Sequence, residues 1–206
     1  MAPVVAFNAA DVLVTAANIL YSPKGTALPD ETSVDWNDIT SWPDGWVHVG
    51  YTSAPARVTY TYDVFELEVE QSTSPIAQRK RNERAVTDFS MSQFNGDNLA
   101  LLLDGTATDV AAGASQKGWT KVVTGGSPNL QEYQFALEGY RPDANGDEQP
   151  VRVFFYRAGI RINGSIEFAK ANGTALPGQI TALLDSTQTV GEQLMEVHII
   201  TAPASS

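Results

Sequence analysis

Apolar and polar residues alternate with a period of two over much of the chain after residue 46. In the first alternating segment the apolar residues change from even to odd positions: Val58, Tyr60, Tyr62 and Val64, then Phe65, Leu67 and Val69. A strand keeps one face on alternate residues, so the change predicts a β-bulge or a strand break near Asp63 and Val64. A second segment alternates with one face formed by Ala85, Thr87, Phe89 and Met91. We expect the two segments to form a long hairpin.

One short helix is predicted after the hairpin. The residues at 96–98 offer a cap, the leucines between 99 and 103 supply an apolar stripe, and Gly105 can end the helix in the left-handed conformation. Residues 104–118 are small and polar, and they predict a loop. Further strands are predicted near residues 119–123, 131–140, 151–162, 179–184 and 194–201.

The dipeptide Asn163-Gly164 is typical of a tight hairpin turn. It separates Ile160-Arg161-Ile162 from Ile166-Glu167-Phe168, and both turn residues tolerate a positive φ. We therefore expect a type I′ turn there. The same dipeptide opens one of two glycosylation sequons, at residues 163–165 and 172–174, and the turn explains it better than a glycan does.

These elements predict a mainly β fold: an antiparallel β-sandwich or partial barrel with a long hairpin and one short α-helix. We expect residues 47–206 to form this single domain and residues 1–46 to form an N-terminal arm and docking segment. The arm contains many Pro, Gly and Asp residues, yet three of the four tryptophans, at positions 36, 42 and 46, lie within it. Because tryptophans are highly buried on average, the arm is expected to dock on its own domain or on a neighbouring subunit.

Composition excludes several classes of protein. The chain of 206 residues has no cysteine, so disulfide scaffolds and cysteine zinc sites are excluded. With 13 basic and 24 acidic residues the net charge is −11, which disfavours tight binding to duplex DNA. No apolar run reaches the roughly 20 residues that span a bilayer, and residues 1–6 lack the basic start of a secretion signal. We expect a protein that stays in the cytosol or is released by lysis.

Residues able to support catalysis are few. His48 and His198 both lie in strand-like segments, which favours exposed or hydrogen-bonded sheet histidines over catalytic or metal-binding ones. Glu66 and Glu68 would lie about 6 to 7 Å apart and point the same way, whereas glycosidase carboxylates flank the bond that they cleave. We therefore predict no enzyme activity and no cofactor.

The segment Asp143-Ala144-Asn145-Gly146-Asp147 imitates the start of a calcium-binding loop. It lacks glycine at the sixth position, where Glu148 stands, and has Phe154 at the twelfth in place of a bidentate glutamate. We expect an acidic turn rather than a metal site, with weak calcium binding at Asp143 and Asp147 as the alternative.

Four of the 13 basic residues are concentrated at positions 79–84: Arg79, Lys80, Arg81 and Arg84. The pattern predicts that they lie in the loop of the long hairpin. Three interpretations remain open. The loop is a solvated turn that protects the hairpin from aggregation, a nucleic-acid contact without aromatic stacking partners, or a contact with an acidic surface of an identical subunit.

The order of these features resembles the major tail tube proteins of long-tailed bacteriophages. The resemblance extends over nearly the whole chain, by pattern and order. Its segments are YSPKGTALP (21–29), GWVHVG (45–50), VFELEVEQSTSPI (64–76), VTDFSM (86–91), GDNLALL (96–102), RAGIRI (157–162), GSI (164–166) and LPGQITALLD (176–185). Many relatives carry a further immunoglobulin-like domain at the C-terminus, whereas this chain stops at Ser206, so adhesion through such a domain is not expected.

The resemblance implies a structural virion protein. Its subunits would form homohexameric rings with one continuous inner barrel, and the rings would stack into a tube through which the genome passes. It also implies assembly in the host cytoplasm, contact with a tape-measure protein and with tail terminator and tip proteins, and no membrane partner. Ring closure would pair the edge strands that an isolated sandwich leaves open.

The candidate site residues fall into two groups. For an acidic channel lining that repels phosphate, the candidates are Glu66, Glu68, Glu70 and Asp88, with Glu132 and Glu138 as weaker members. For contacts between subunits, the candidates are Arg79, Lys80, Arg81, Arg84, Trp36 and Trp42. The alternative function is a secreted carbohydrate-binding β-sandwich with the arm tryptophans as its platform, and a glycosidase is disfavoured for lack of opposed carboxylates.

Overall fold

A computed structural model describes residues 16–142, 146–166 and 174–201. The fold is mainly β, as predicted. Its described part has one helix, α1 (Gly96–Leu102), and a 3₁₀ turn at Ile39–Ser41. The strands are β1 (Asn18–Pro23), β2 (Val47–His48), β3 (Thr52–Leu67), β4 (Ala77–Met91), β5 (Thr106–Val110), β6 (Trp119–Val123), β7 (Tyr133–Pro142), β8 (Glu148–Ile162), β9 (Leu176–Ala182) and β10 (Met195–Ile199). None of the described helices has the length and hydropathy needed to cross a bilayer.

Seven strands form one open antiparallel sheet in the order β2-β1-β7-β8-β9-β4-β3, and an eighth, β10, also pairs with β8. Strands β5 and β6 form a separate pair. Strand β8 is the centre of the large sheet. It pairs with β7 along one edge, and along the other edge its first half pairs with β10 and its second half with β9. The sheet is not closed into a barrel, and β3 is its last strand on one side.

Apolar side chains pack on both sides of the sheet. On one side, Leu101 and Leu102 of α1 join the main core, which includes Phe89, Phe135 and Phe155. On the other side, residues 25–46, which we call the strap, cover β1, β7 and β8. The tryptophans of the strap pack there against buried sheet residues: Trp42 and Trp46 against Leu20, Ala136 and Phe154. The strap therefore docks on its own domain.

The predicted long hairpin is present, but its loop is misplaced in the prediction. Strand β3 runs to Leu67 and β4 begins at Ala77, so residues 79–84 lie inside β4 and not in the hairpin loop. The prediction was wrong because residues 77–84 are exposed on both faces. A strand that buries neither face has no hydrophobic alternation to reveal it.

The predicted bulge is present, but on the other strand. The register shifts between Thr61, which pairs with Arg84, and Asp63, which pairs with Arg81. The shift places one extra residue on β4, and Asn82 there has a φ of 52°. Its side chain donates to Asp63 over 2.7 Å. Strand β3 therefore alternates without a break through this region.

The ends of α1 differ in detail from the prediction. The N-cap is Asn95, whose side chain accepts a hydrogen bond from the Asn98 N–H over 2.8 Å. At the C-terminal end the left-handed residue is Asp104, with a φ of 51°, rather than Gly105. The Gly105 N–H donates to the Ala100 carbonyl over 2.8 Å, which satisfies a carbonyl of the last turn.

Two loop predictions were wrong. The segment 104–118 contains β5, which pairs with β6. The dipeptide Asn163-Gly164 does not form a two-residue hairpin, because Ile162 pairs with Gly178 and the Asn163 N–H donates to the Pro177 carbonyl over 3.0 Å. Ile166 is not in a strand, and residues 167–173 lie outside the described part.

Candidate functional site

The outer half of the β3–β4 hairpin projects from the domain. Residues 57–68 and 70–84 are exposed, although several are large and apolar. Val64, for example, exposes 52% of its surface, and Phe65 on the opposite face exposes 40%. On one face Tyr60, Tyr62 and Val64 are exposed together, and an exposed apolar patch of this kind marks an interaction surface. The projecting hairpin is therefore the candidate functional site.

One face of the hairpin continues the side of the sheet that holds the main core. We call it the core-side face. In β3 it consists of Val58, Tyr60, Tyr62, Val64 and Glu66. The Lys80 ammonium lies over two of these rings, 5.7 Å from the centroid of Tyr60 and 4.9 Å from that of Tyr62. The Tyr60 hydroxyl donates to Glu83 over 2.6 Å.

The other face, which we call the open face, continues across β9 and β8. It is polar and rich in arginine. Across the sheet Arg57 pairs with Asp88, Asp88 with Gln179, and Gln179 with Arg161. Further along the hairpin the face presents Asp63, Phe65, Leu67, Arg79, Arg81 and Arg84.

The register separates two residues that were expected to line one wall. Glu66 pairs with Gln78 on the core-side face, whereas Asp88 pairs with Arg57 on the open face. The expectation that they share a face was wrong, because β3 does not change face at the bulge. Asp88 accepts hydrogen bonds from Asn163 and Gln179 over 2.9 and 2.8 Å. Glu68 and Glu70 lie beyond the end of β3, in the turn.

The two weaker lining candidates are both engaged in ion pairs. Glu132 accepts from Arg157 over 2.7 Å and lies 3.3 Å from the Lys24 ammonium. Glu138 is only 2% exposed and accepts from Arg152 over 2.8 and 3.0 Å. A carboxylate buried in this way is not available to line a water-filled channel, so Glu138 is removed from the candidate lining.

Arg152 is the centre of a buried polar cluster that fastens the strap to β8. Its guanidinium is fully buried and donates to Glu31, to Glu138 and to the Val34 carbonyl. His198 on β10 lies 2.6 Å from the other oxygen of Glu31. The cluster therefore connects the strap with β7, β8 and β10.

Both histidines are hydrogen-bonded sheet residues, as expected. His48 accepts from the Gly50 N–H over 2.8 Å, and its burial lowers the pKa of the imidazole.

Of the two tryptophans expected at a subunit contact, Trp42 is only 6% exposed and belongs to the apolar cluster between the strap and the sheet. It is therefore not a surface anchor. Trp36 contacts Tyr140, with ring centroids 5.0 Å apart, and its role between subunits remains a prediction.

Sequence reasoning missed Arg152. The signal was a single arginine within the otherwise apolar run Val151-Arg152-Val153-Phe154-Phe155. A charged residue at such a place is almost never fully buried without a partner. Its carboxylate partners come from the strap and from β7, and the chain separation of 121 residues from Glu31 hides the pairing.

No cluster of three or more metal-binding side chains occurs within residues 16–142, 146–166 and 174–201. The calcium-like segment lies partly outside them, because residues 143–145 are not described.

Glu132 predicts one pH effect. The hydrogen bond from Arg157, supported by Lys24, lowers the pKa of Glu132 from 4.5 to about 2. A lowered pKa in the folded state stabilises the protein above pH 4.5, and the stabilisation is lost as the pH falls from 4.5 to about 2. We expect a Glu132→Gln variant to be less stable than the parent at pH 6 and to show a smaller loss in acid. Urea unfolding at a series of pH values measures this, and parallel curves for the two proteins would contradict it.

Comparison with known proteins agrees with the resemblance seen in the sequence. The chain matches the family described as phage tail tube protein over residues 5–204, nearly its whole length. No curated protein matches the sequence. The chain therefore belongs to the phage tail tube protein family, which places it in the virion tail as a structural component.

Proposed function

We propose that six copies of this chain form a ring, that the rings stack into the tail tube, and that the genome passes through the central channel. The observation that carries the proposal is the projecting hairpin, with large apolar side chains exposed on both faces. The number of subunits and the stacking follow from the family resemblance. Contacts with tape-measure, terminator and tip proteins are proposed on the same basis.

The physics of the hairpin supports assembly. A two-stranded hairpin is marginally stable by itself in water, and residues 57–68 bury neither face in the single chain. A neighbouring subunit would cover the core-side face and continue its apolar packing. The outer edge of β3, which has no partner strand in the described sheet, would be paired or covered at the same contact.

For the channel wall we propose the part of the open face that lies on the domain. Asp88, Gln179 and Arg161 form one polar row there, so this level of the wall carries both signs of charge. The acidic character that would repel phosphate then depends on the turn carboxylates Glu68 and Glu70, and on the net charge of −11. We retain Asp88, Glu68 and Glu70 as lining candidates.

The alternative function, a carbohydrate-binding sandwich, loses its platform. Trp42 and Trp46 are buried between the strap and the sheet, where a sugar ring cannot stack on them.

Electron microscopy of the purified protein tests assembly. We expect rings or tubes from the parent chain. We expect their loss in a variant with Tyr62→Ser and Val64→Ser, which removes apolar contacts from the core-side face without touching the domain core. Both side chains are exposed in the single chain, so the free energy of unfolding of the variant should differ from that of the parent by no more than about 0.5 kcal/mol per site.

The matched control is Tyr51→Ser, because Tyr51 is a highly exposed aromatic residue outside the hairpin. This variant should assemble normally. A parent protein that stays monomeric at high concentration would contradict the proposed function, and normal tubes from the hairpin variant would contradict the role of the core-side face.

A further inference from the structure

We infer that the arginines on the open face of the hairpin dock on the acidic strap of a second copy of this chain. We call Arg79, Arg81 and Arg84 the arginine face. The inference rests on the proposed function and names the two surfaces that would meet in it.

The register of the hairpin gathers the three guanidinium groups on one side. Arg79 pairs with Phe65, Arg81 with Asp63 and Arg84 with Thr61. The extra residue Asn82 is needed for this arrangement, since strict alternation would put Arg81 and Arg84 on opposite faces. The bulge therefore builds a continuous basic surface.

Within the part of the chain that the structure describes, the arginine face has no carboxylate partner for its side chains. Across the described ranges, the side chains of Arg79 and Arg84 form no hydrogen bond or ion pair, although both residues pair with β3 through the backbone. The Arg81 guanidinium lies 3.8 Å from the centroid of the Phe65 ring, which holds it in place while its donors stay free. Asp63, the carboxylate on this part of the face, accepts from Asn82.

The strap has the complementary composition. Residues 25–46 contain no Lys or Arg and five acidic residues: Asp30, Glu31, Asp35, Asp38 and Asp44. Glu31 is bound to Arg152, whereas the four aspartates are exposed or half-exposed. Hydrogen bonds from the backbone and hydroxyl of Thr32 lower the pKa of Asp30, and those from Thr40 lower the pKa of Asp38, so both stay ionised.

The strap is also well anchored on its own domain. Trp42 and Trp46 are buried beneath it, and Arg152 binds its backbone at Val34 and Asp35. Docking on an ordered surface costs little conformational entropy. No ion pair joins strap and hairpin within the described part of one chain, so the strap aspartates remain for a second copy.

A nucleic acid is the less favoured occupant of the arginine face. The chain carries a net charge of −11, and the described aromatic ring on this part of the open face, Phe65, is already stacked by Arg81. The strap of another copy satisfies the arginines without bringing a polyanion toward an acidic protein.

Charge reversal in both surfaces tests the inference. A hairpin variant with Arg79→Glu, Arg81→Glu and Arg84→Glu should need at least about tenfold more protein to form tubes, because three exposed pairs at about 0.2 to 1 kcal/mol each are replaced by repulsion. A strap variant with Asp30→Lys, Asp35→Lys and Asp44→Lys should show the same defect. Combining both sets in one chain should restore assembly.

The matched control is Lys80→Glu, which reverses a cation on the core-side face. Adding the strap substitutions to this variant should not improve its assembly. Failure of the combined chain to recover, with all variants folded by circular dichroism, would overturn the inference. So would normal assembly of either single set. Since the parent protein forms tubes in each of these outcomes, they leave the proposed function intact, whereas a parent that never assembles refutes the proposed function itself.

Crosslinking provides a second readout that does not depend on charge. The chain has no cysteine, so Arg81→Cys combined with Asp35→Cys introduces two thiols without background. We expect a ladder of disulfide-linked oligomers when an oxidant is added to assembled material, and none when the same oxidant is added to protein diluted to monomer. Tubes that form without the ladder would contradict the docking of these two surfaces.

Loss of duplex DNA binding in the hairpin variant, with assembly unchanged, would assign the arginine face to nucleic acid instead.

Discussion

Replacing Arg152 with leucine is expected to lower the free energy of unfolding by about 3 to 5 kcal/mol. The fully buried guanidinium neutralises Glu138, which is itself 2% exposed, and donates to the strap at Glu31 and the Val34 carbonyl. Leucine would leave the buried Glu138 carboxylate without a counter-ion and the Val34 carbonyl without this donor, and Glu31 would keep only His198. Urea unfolding followed by circular dichroism measures the loss.

The matched control is Arg161→Leu on β8. Arg161 is exposed and donates to Gln179, so this change should cost no more than about 0.5 kcal/mol. A double variant with Arg152→Leu and Glu138→Leu should recover part of the lost stability, because it removes the stranded charge. A loss below about 1 kcal/mol for Arg152→Leu would show that the cluster does not fasten the strap.

Replacing Phe154 with alanine is expected to cost about 3 to 5 kcal/mol through loss of buried apolar area and the cavity left behind. The ring is fully buried beneath the strap, 6.1 Å from the Trp42 ring and 6.4 Å from the Trp46 ring by centroids. Because it supports both tryptophans, the variant should also expose the strap to protease before the rest of the domain unfolds.

Phe65→Ala provides the control for ring size. This phenylalanine is 40% exposed on the hairpin, so its loss should change the stability of the single chain by no more than about 1 kcal/mol. Equal destabilisation by the two alanine variants in thermal unfolding would contradict the burial of Phe154.

The hairpin shows why the sequence predicts some parts of this fold and not others. From Ala85 to Met91, alternate side chains enter the core, and the period of two is visible in the sequence. Between residues 77 and 84 neither face is buried, so the same strand continues without a hydrophobic pattern. The extra residue Asn82 shifts the register of β4 against β3 by one residue and so determines which charged residues share a face. The amino-acid composition gives no indication of such a shift.

The polar cluster was hidden for a different reason. Glu138 was a candidate for the channel lining, and it does lie on the face of β7 opposite Leu137. The strap covers this face, and Arg152, 14 residues further along the chain, is the counter-ion of Glu138. Burial of this kind depends on a segment that folds back over the sheet. The tryptophans of the arm indicated that the arm docks, but not where it docks.

The placement of the tryptophans has a spectroscopic consequence. Trp36, Trp42 and Trp46 belong to the strap, and Trp119 on β6 is the remaining tryptophan. The intrinsic fluorescence of the protein therefore reports mainly on one 22-residue segment. Detachment of the strap would shift the emission to longer wavelength while the sheet stayed folded, and an acrylamide-accessible minor component would come from Trp119, which is 53% exposed.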